Sequence, residues 1–325
     1  MQLTYYLTSG LIDCKLVFNK EDFDQTNLET LFSQIKPTDV NGGFTYYGTS
    51  ERVHAFSLYL KAVDVNEPFL EIQNNDFTLY CSKNDQEVCN NLQYIIATIS
   101  EKYRAQQFNC VSFHAAAAAS PEGEGVIIFG DKGAGKTSAL LSLCKLANFS
   151  IIGNDGVLIA QKDAGTLTLL GGKKQLAIRT STLDALFPHD STLEQEAVQH
   201  AREEKILIAP EDLGLSSQST PVILKLALRI NIYKGSAPTI TAIPNPKLEL
   251  LRLHQNAISL ICGGQTPLTI NHTHVSGFFP SLDTKEISSM RNNLVSSLVT
   301  RNKFYYVTVP DASLIPNIVK DLLHK

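Results

Sequence analysis

Residues 130–137 read Gly130-Asp131-Lys132-Gly133-Ala134-Gly135-Lys136-Thr137, and this octapeptide constrains the chain more than any other stretch. It fits G-x-x-x-x-G-K-[ST] in full, and its flanks supply the context the pattern needs. The run Val126–Phe129 predicts a strand entering it, and Leu140, Leu143, Cys144 and Ala147 recur at helical spacing, predicting a helix from about Lys136 to Ala147. A strand that curls through glycines into a helix aims backbone N–H groups and the positive helix end at one place. That arrangement suits a nucleotide's phosphates, so Gly130–Thr137 and Ser138 are expected to bind a nucleoside triphosphate. Lys136 would reach the outer phosphates, and the Thr137 hydroxyl would ligate Mg²⁺. A chance glycine-rich turn would not bring strand, lysine, threonine and helix into agreement.

Such a loop needs a carboxylate partner. Asp311 ends the strand-like "FYYVTVPD" and Asp155 ends "SIIGND". Asp155 is preferred because it follows the strand directly after the loop's helix, and because "GVLIA" comes at once, suggesting a hairpin rather than a crossover. Asn154-Asp155-Gly156 is also good hairpin-turn chemistry. The two roles are compatible, since catalytic groups sit on loops at strand ends. Asp311 has a simpler task as a helix N-cap.

The remaining pattern is rich in strands. "LTYYLTSG", "CKLVFNK", "FTYYGTS", "HAFSLYLKAV" and "DFTLYCS" alternate polar with aromatic or β-branched residues, and "NLETLFSQI" reads as a helix among them. Val88, Leu92, Ile95, Ile96 and Ile99 fall on one face of a long helix. Propensity alone would make the alanine run Ala115–Ala119 helical. The turn chemistry of "PEGEG" and the strand "VIIFG" beyond it predict a hairpin strand instead. "TLTLLGG", "VILKLALRINIYKG", "PTITAIP" and "FYYVTVP" are further strands. Helices are expected from Pro246, from "DTKE" with Asp283 as cap to about Val299, and from Asp311 onward. The expected class is α/β, mixed and strand-rich, without the βα rhythm of a doubly wound sheet. The expected division is an N-terminal α+β domain over 1–108 and a second domain over 109–325.

Composition excludes some functions. Twenty-eight basic against 32 acidic side chains leave a net charge of −4, so bulk electrostatics draws the chain to neither nucleic acid nor anionic lipid. The six cysteines form no C-x-x-C pair and read as reduced thiols. No apolar run reaches the ~20 residues of a membrane span, and the N-terminus lacks signal-peptide character. A cytoplasmic protein is expected. His272 and His274 in "NHTH" lack nearby further ligands and read as structural.

Within residues 110–180 the chain resembles the HPr kinase/phosphorylase superfamily. The likeness rests on "FHAAAAA" with His114, the loop "GDKGAGKT", "GNDGVLI" about twenty residues on, and Gly171, Gly172 and Arg179 downstream. It is closer to HPr-kinase-related proteins encoded beside peptide-modification genes, including lasso-peptide kinases, which carry an N-terminal region of similar size. The resemblance implies a PEP-carboxykinase-like P-loop kinase core with a smaller N-terminal domain for substrate or partner recognition. It implies catalytic roles for Asp155, Lys136 and His114, metal binding by Thr137 and Asp155, and ATP as the nucleotide, with Arg179 in contact with it. Kinases of this group are often oligomers, which raises a homo-oligomer. Two departures stand out. Asn154 replaces the first of the usual paired acids, and Lys132 replaces a serine.

The expected activity is ATP-dependent transfer of the γ-phosphate to a hydroxyl, Ser on a protein or peptide. Three alternatives stay open: a small-metabolite kinase of the same fold, an ATPase or GTPase switch, and a nucleotide-binding pseudokinase.

Overall fold

The computed structural model describes residues 1–35, 40, 42–162, 165–187, 205–259, 261 and 279–325. His272, His274, Cys262 and much of the polar stretch after Phe187 lie outside them. The protein is mixed α/β and divides into two units. Met1–Ser112 groups with His254–Asn293, and Phe113–Leu253 groups with Leu294–Lys325. The segment His254–Asn293 thus belongs with the N-terminal unit, a return of the chain absent from the continuous division read from sequence.

In the first unit the strands are β1 (Gln2–Ser9), β2 (Ile12–Asn19), β3 (Phe44–Gly48), β4 (Phe56–Ala62), β5 (Phe69–Gln73) and β6 (Asp76–Cys81). They form one sheet in the order β3-β1-β2-β4-β6-β5. The β1–β2 hairpin closes through Gly10 and Leu11, both at positive φ (56° and 76°), the requirement of the two-residue turn that matches strand twist. Helix α1 (Gln25–Gln34) is capped by Asp24, and α2 (Gln86–Phe108) by Asp85, whose side chain accepts from Val88 N. Val88, Leu92, Ile95, Ile96 and Ile99 are buried as their spacing demands, in one core with Leu16, Leu58 and Leu79 of the sheet and Phe32 of α1. Ile261, Phe279, Leu282 and Ile287 of the returning segment complete that core.

A buried charge pair ties α2 to its surroundings. Arg104 donates to Glu101 at 2.6 and 2.9 Å and to the carbonyls of Ser9, Gly10 and Ala97 at 3.1–3.2 Å. Glu101 also accepts from Ser112 N at 2.8 Å. Both side chains are almost fully buried, and each is satisfied, the condition under which buried charge is tolerated.

Strand β7 (Cys110–Phe113) carries the chain into the second unit. There β8 (Ala116–Ala119) and β9 (Gly125–Phe129) pair antiparallel, so the alanine run is a strand despite its propensity. All four alanines are buried, and small side chains let the sheet carry close layers on both faces. Strand β9 runs parallel to β15 (Val222–Ile232), β15 runs parallel to β17 (Lys303–Val309), and β16 (Thr239–Ala242) adds antiparallel to β17. Helix α3 (Lys136–Ala147) shares a core with β8, β9, β15 and β17 and with α7 (Ile315–His324). Strands β13 (Leu176–Arg179) and β14 (Lys205–Ile208) form a separate ribbon, with α4 (Thr180–Leu186) following β13. Two further helices are α5 (Pro246–Ile258) and α6 (Lys285–Thr300). No helix among the described residues is long and apolar enough to cross a membrane.

Two local expectations are corrected. The stretch around Asn154-Asp155-Gly156 is not a hairpin turn. Strand β10 (Ser150–Gly153) pairs with β8, whereas β11 (Val157–Gln161) pairs with β12 (Leu167–Gly172). The cause is a close backbone approach between Gly153 and Gly172. A Cβ built on Gly153 would meet Gly172 Cα at 2.8 Å and the Gly156 carbonyl at 2.7 Å. Asp283, for its part, does not cap α6. Its carboxylate takes a two-pronged bond from Arg291 (2.9 and 2.6 Å), which is stronger than a single cap bond. Thr284 Oγ1 instead accepts from Ile287 N. Asp311 does cap, accepting from Ser313 N at 2.7 Å, but on a short 3-10 turn ahead of α7.

Because a methyl group has no room between these backbones, Gly172→Ala is expected to destabilise the protein by about 1–3 kcal/mol. The check is a shift of the urea midpoint at unchanged slope.

Candidate functional site

The glycine-rich loop joins the end of β9 to α3, beside the C-terminal end of the parallel strand β15. Gly135 sits at φ 94°, and a Cβ there would strike the Ile232 side chain at 2.7 Å. The loop is stitched to β15 where Ile232 N donates to the Ala134 carbonyl at 3.0 Å. With glycine at its N-cap, α3 has no side-chain cap, so its first amides lack the partner that would compete with a ligand.

Lys136 is buried and donates through Nζ to the carbonyls of Gly130 (2.9 Å) and Asp131 (3.3 Å). Burial pulls its pKa below the usual lysine value of 10.5, against the opposing attraction of Asp155 and Asp131. Thr137 Oγ1 donates to Asn154 Oδ1 at 3.2 Å. Asn154 is fully buried, and its Nδ2 has no hydrogen-bond partner among the described residues. Asp155 follows at φ 58°, a left-handed conformation uncommon outside glycine though better tolerated by Asp and Asn. This bend turns the chain out of β10, and His114 Nδ1 donates to the Asp155 carbonyl at 3.1 Å.

These groups meet around one cavity of about 400 Å³. Of the residues singled out in the sequence, His114, Lys132, Gly133, Gly135, Lys136, Thr137, Ser138, Asp155 and Arg179 line it. Gly130, Asp131 and Ala134 are not part of its wall. The cavity also takes in Ala177, Thr182 and Lys205, which the sequence reading did not include. Asn154, noted in the sequence only as a departure from the paired acids, is the side chain that touches Thr137. The available signal for Asn154 was its place in the "ND" pair. For Lys205 only the alternation of "KILI" pointed to a strand, and nothing in the sequence gave its register against Arg179.

Asp131 and Ala134, with Lys132 and Gly133, line a second cavity of about 400 Å³ on the other side of the loop. Its floor is a charged network. Arg229 grips Glu249 at 2.6–3.0 Å, Tyr306 donates to the same carboxylate at 2.5 Å, and Arg229 Nη1 lies 3.7 Å from Asp131. Glu249 is wholly buried. Asp131 is therefore turned toward Arg229.

No protein-family model matches this chain, and no curated protein matches it.

Among the described residues no group of three or more His, Cys, Asp or Glu could hold a metal ion. What the first cavity offers is a hydroxyl and a carboxylate, with the buried amide oxygen of Asn154 bonded to that hydroxyl. These are the hard donors Mg²⁺ accepts alongside phosphate oxygens and water. The orphaned Asn154 Nδ2 is a buried donor that an oxygen ligand would satisfy. The residues present thus fit a phosphate-bound Mg²⁺.

Two outcomes follow from the electrostatics. Removing the Glu249 charge strands a mostly buried guanidinium, so Glu249→Ala is expected to cost about 3–5 kcal/mol, read as a fall in unfolding free energy in urea. Lys136 loses its proton more readily folded than unfolded, so the folded state binds fewer protons in the window just below 10.5. Stability relative to a Lys136→Met variant should therefore rise with pH through that alkaline window. Parallel melts of the two proteins across it are the measurement.

Proposed function

We propose that the second unit is an ATP- and Mg²⁺-dependent phosphotransferase of HPr-kinase type, passing the γ-phosphate to a hydroxyl, Ser on a protein or peptide. The observation that carries this reading is the sharing of one cavity by Lys136 and Thr137 from the start of α3 and Asp155 from the bend after β10. Mg·ATP, when bound, supplies the phosphoryl group and neutralises its charge. The chain's own part is then positioning and electrostatics, which dominate this chemistry. Backbone amides of the loop and the uncapped start of α3 orient the phosphates. Lys136, already held by two carbonyls at the lip, places its ammonium there without a large rearrangement. Thr137 and Asn154, bonded to each other, are the groups that would hold the metal, with Asp155 next to them. The Asp155 carboxylate takes the proton from the acceptor hydroxyl. His114 fixes the Asp155 backbone through its carbonyl, a positioning role.

One observation favours a second reading. The side chain in contact with Thr137 is the neutral amide of Asn154 rather than a carboxylate. A nucleotide-binding module that recruits a partner without transferring phosphate would suit that substitution.

Incubation with labelled ATP, Mg²⁺ and candidate peptides, followed by mass spectrometry, separates these readings. Transfer to a peptide hydroxyl is expected. Asp155→Asn should slow it by roughly 10²–10⁴-fold with ATP affinity little changed. Phosphate release without an acceptor would point to a hydrolytic switch. ATP binding with neither outcome would point to the non-transferring module.

A further inference from the structure

We propose that Arg179 and Lys205 form a clamp for an oxyanion, carboxylate or phosphate, carried by the phosphate acceptor and separate from the nucleotide's triphosphate. This rests on the kinase reading above and names the acceptor's chemistry.

The two residues stand directly opposite each other on the β13–β14 ribbon, Arg179 paired with Lys205 in register. Like charges placed directly across a strand pair repel and destabilise it. An anion between them reverses the sign of that interaction. Both side chains are exposed, both line the first cavity, and neither has an ion pair with another described residue. Lys205 also lies near enough to Lys136 for their charges to repel.

The charges around the cavity are lopsided. Among the described residues, Lys132, Lys136, Arg179 and Lys205 face the single carboxylate of Asp155. The loop already offers the triphosphate its amides, the start of α3 and Lys136, so Arg179, which the resemblance assigns to ATP, is reassigned to a second anion. Arg179 and Lys205 come from a different element, so the clamp grips something beyond the loop's own ligand. Arginine's planar fork gives such a grip direction, and lysine adds a mobile point charge. An acceptor bearing its own carboxylate or phosphate near the reacting hydroxyl would be held by that second group while the hydroxyl faces Asp155.

Inorganic phosphate is the probe. The full chain is saturated with Mg²⁺ and a non-hydrolysable ATP analogue, and phosphate is titrated in by calorimetry. Phosphate should bind the loaded protein. Arg179→Ala and Lys205→Ala should each weaken it roughly tenfold or more, Lys205→Arg should restore it, and analogue affinity of the Lys205→Ala protein should stay near its original value. Acidic and phosphorylated acceptor peptides, compared with neutral ones in the transfer assay, distinguish the two sources of the oxyanion. A loaded protein that takes no phosphate overturns the clamp. So does phosphate that competes with the analogue, since the pair would then belong to the triphosphate site. Alanine variants with unchanged phosphate affinity overturn it too. Failure of the analogue itself to bind is a different result, which removes the nucleotide reading beneath the clamp.

Discussion

The backbones of Gly153 and Gly172 touch, and the candidate site is organised around that contact. It lets the segment after β10 lie flat against the end of β12, where Asn154 N donates to the Lys173 carbonyl at 2.6 Å and Lys173 N to the Gly156 carbonyl at 2.9 Å. With both sides of the segment fixed, the Asn154 side chain has one direction left, toward Thr137. The left-handed turn at Asp155 then presents the next side chain to the cavity. A larger residue at either glycine would lift the segment away and carry the acid with it.

Around this fixed point the charges are arranged in two groups, one on each side of the loop. On one side a buried acid, Glu249, holds Arg229 by two-pronged bonds, and Tyr306 fills the remaining acceptor capacity. That group is internally balanced, and its outward reach is to Asp131 of the loop. On the other side, among the described residues, the cations outnumber the acids, and Lys136 is shielded from water. A balanced group gives the loop a firm footing, while an unbalanced one leaves free energy available for binding an anion. The contrast separates support from recognition.

Much of this was legible in the sequence because the governing physics is local. The helix Lys136–Ala147, the burial of Val88, Leu92 and Ile95, and the strand character of the alanine run all follow from periodicity and turn residues within a few positions. The errors came where a distant partner decided the outcome. "NDG" has every feature of a hairpin turn, yet Gly172 on another strand claims the neighbouring backbone. Asp283 has the spacing of a cap, yet an arginine two turns along the helix binds it better. Lys205 was missed, and the contact of Asn154 with Thr137 unforeseen, for the same reason. Their importance comes from Thr137 and Arg179, which only the folded chain brings near.

The returning segment has a consequence for how the molecule can be taken apart. Residues 1–112 contain a whole sheet and two helices, and would ordinarily be a natural fragment to express. But Ile261, Phe279, Leu282 and Ile287 fill part of that core. A fragment ending at Ser112 leaves an apolar gap open to water, and such surfaces tend to recruit one another. Dissecting the protein into separately usable halves therefore requires grafting residues 254–293 onto the N-terminal piece through a new linker.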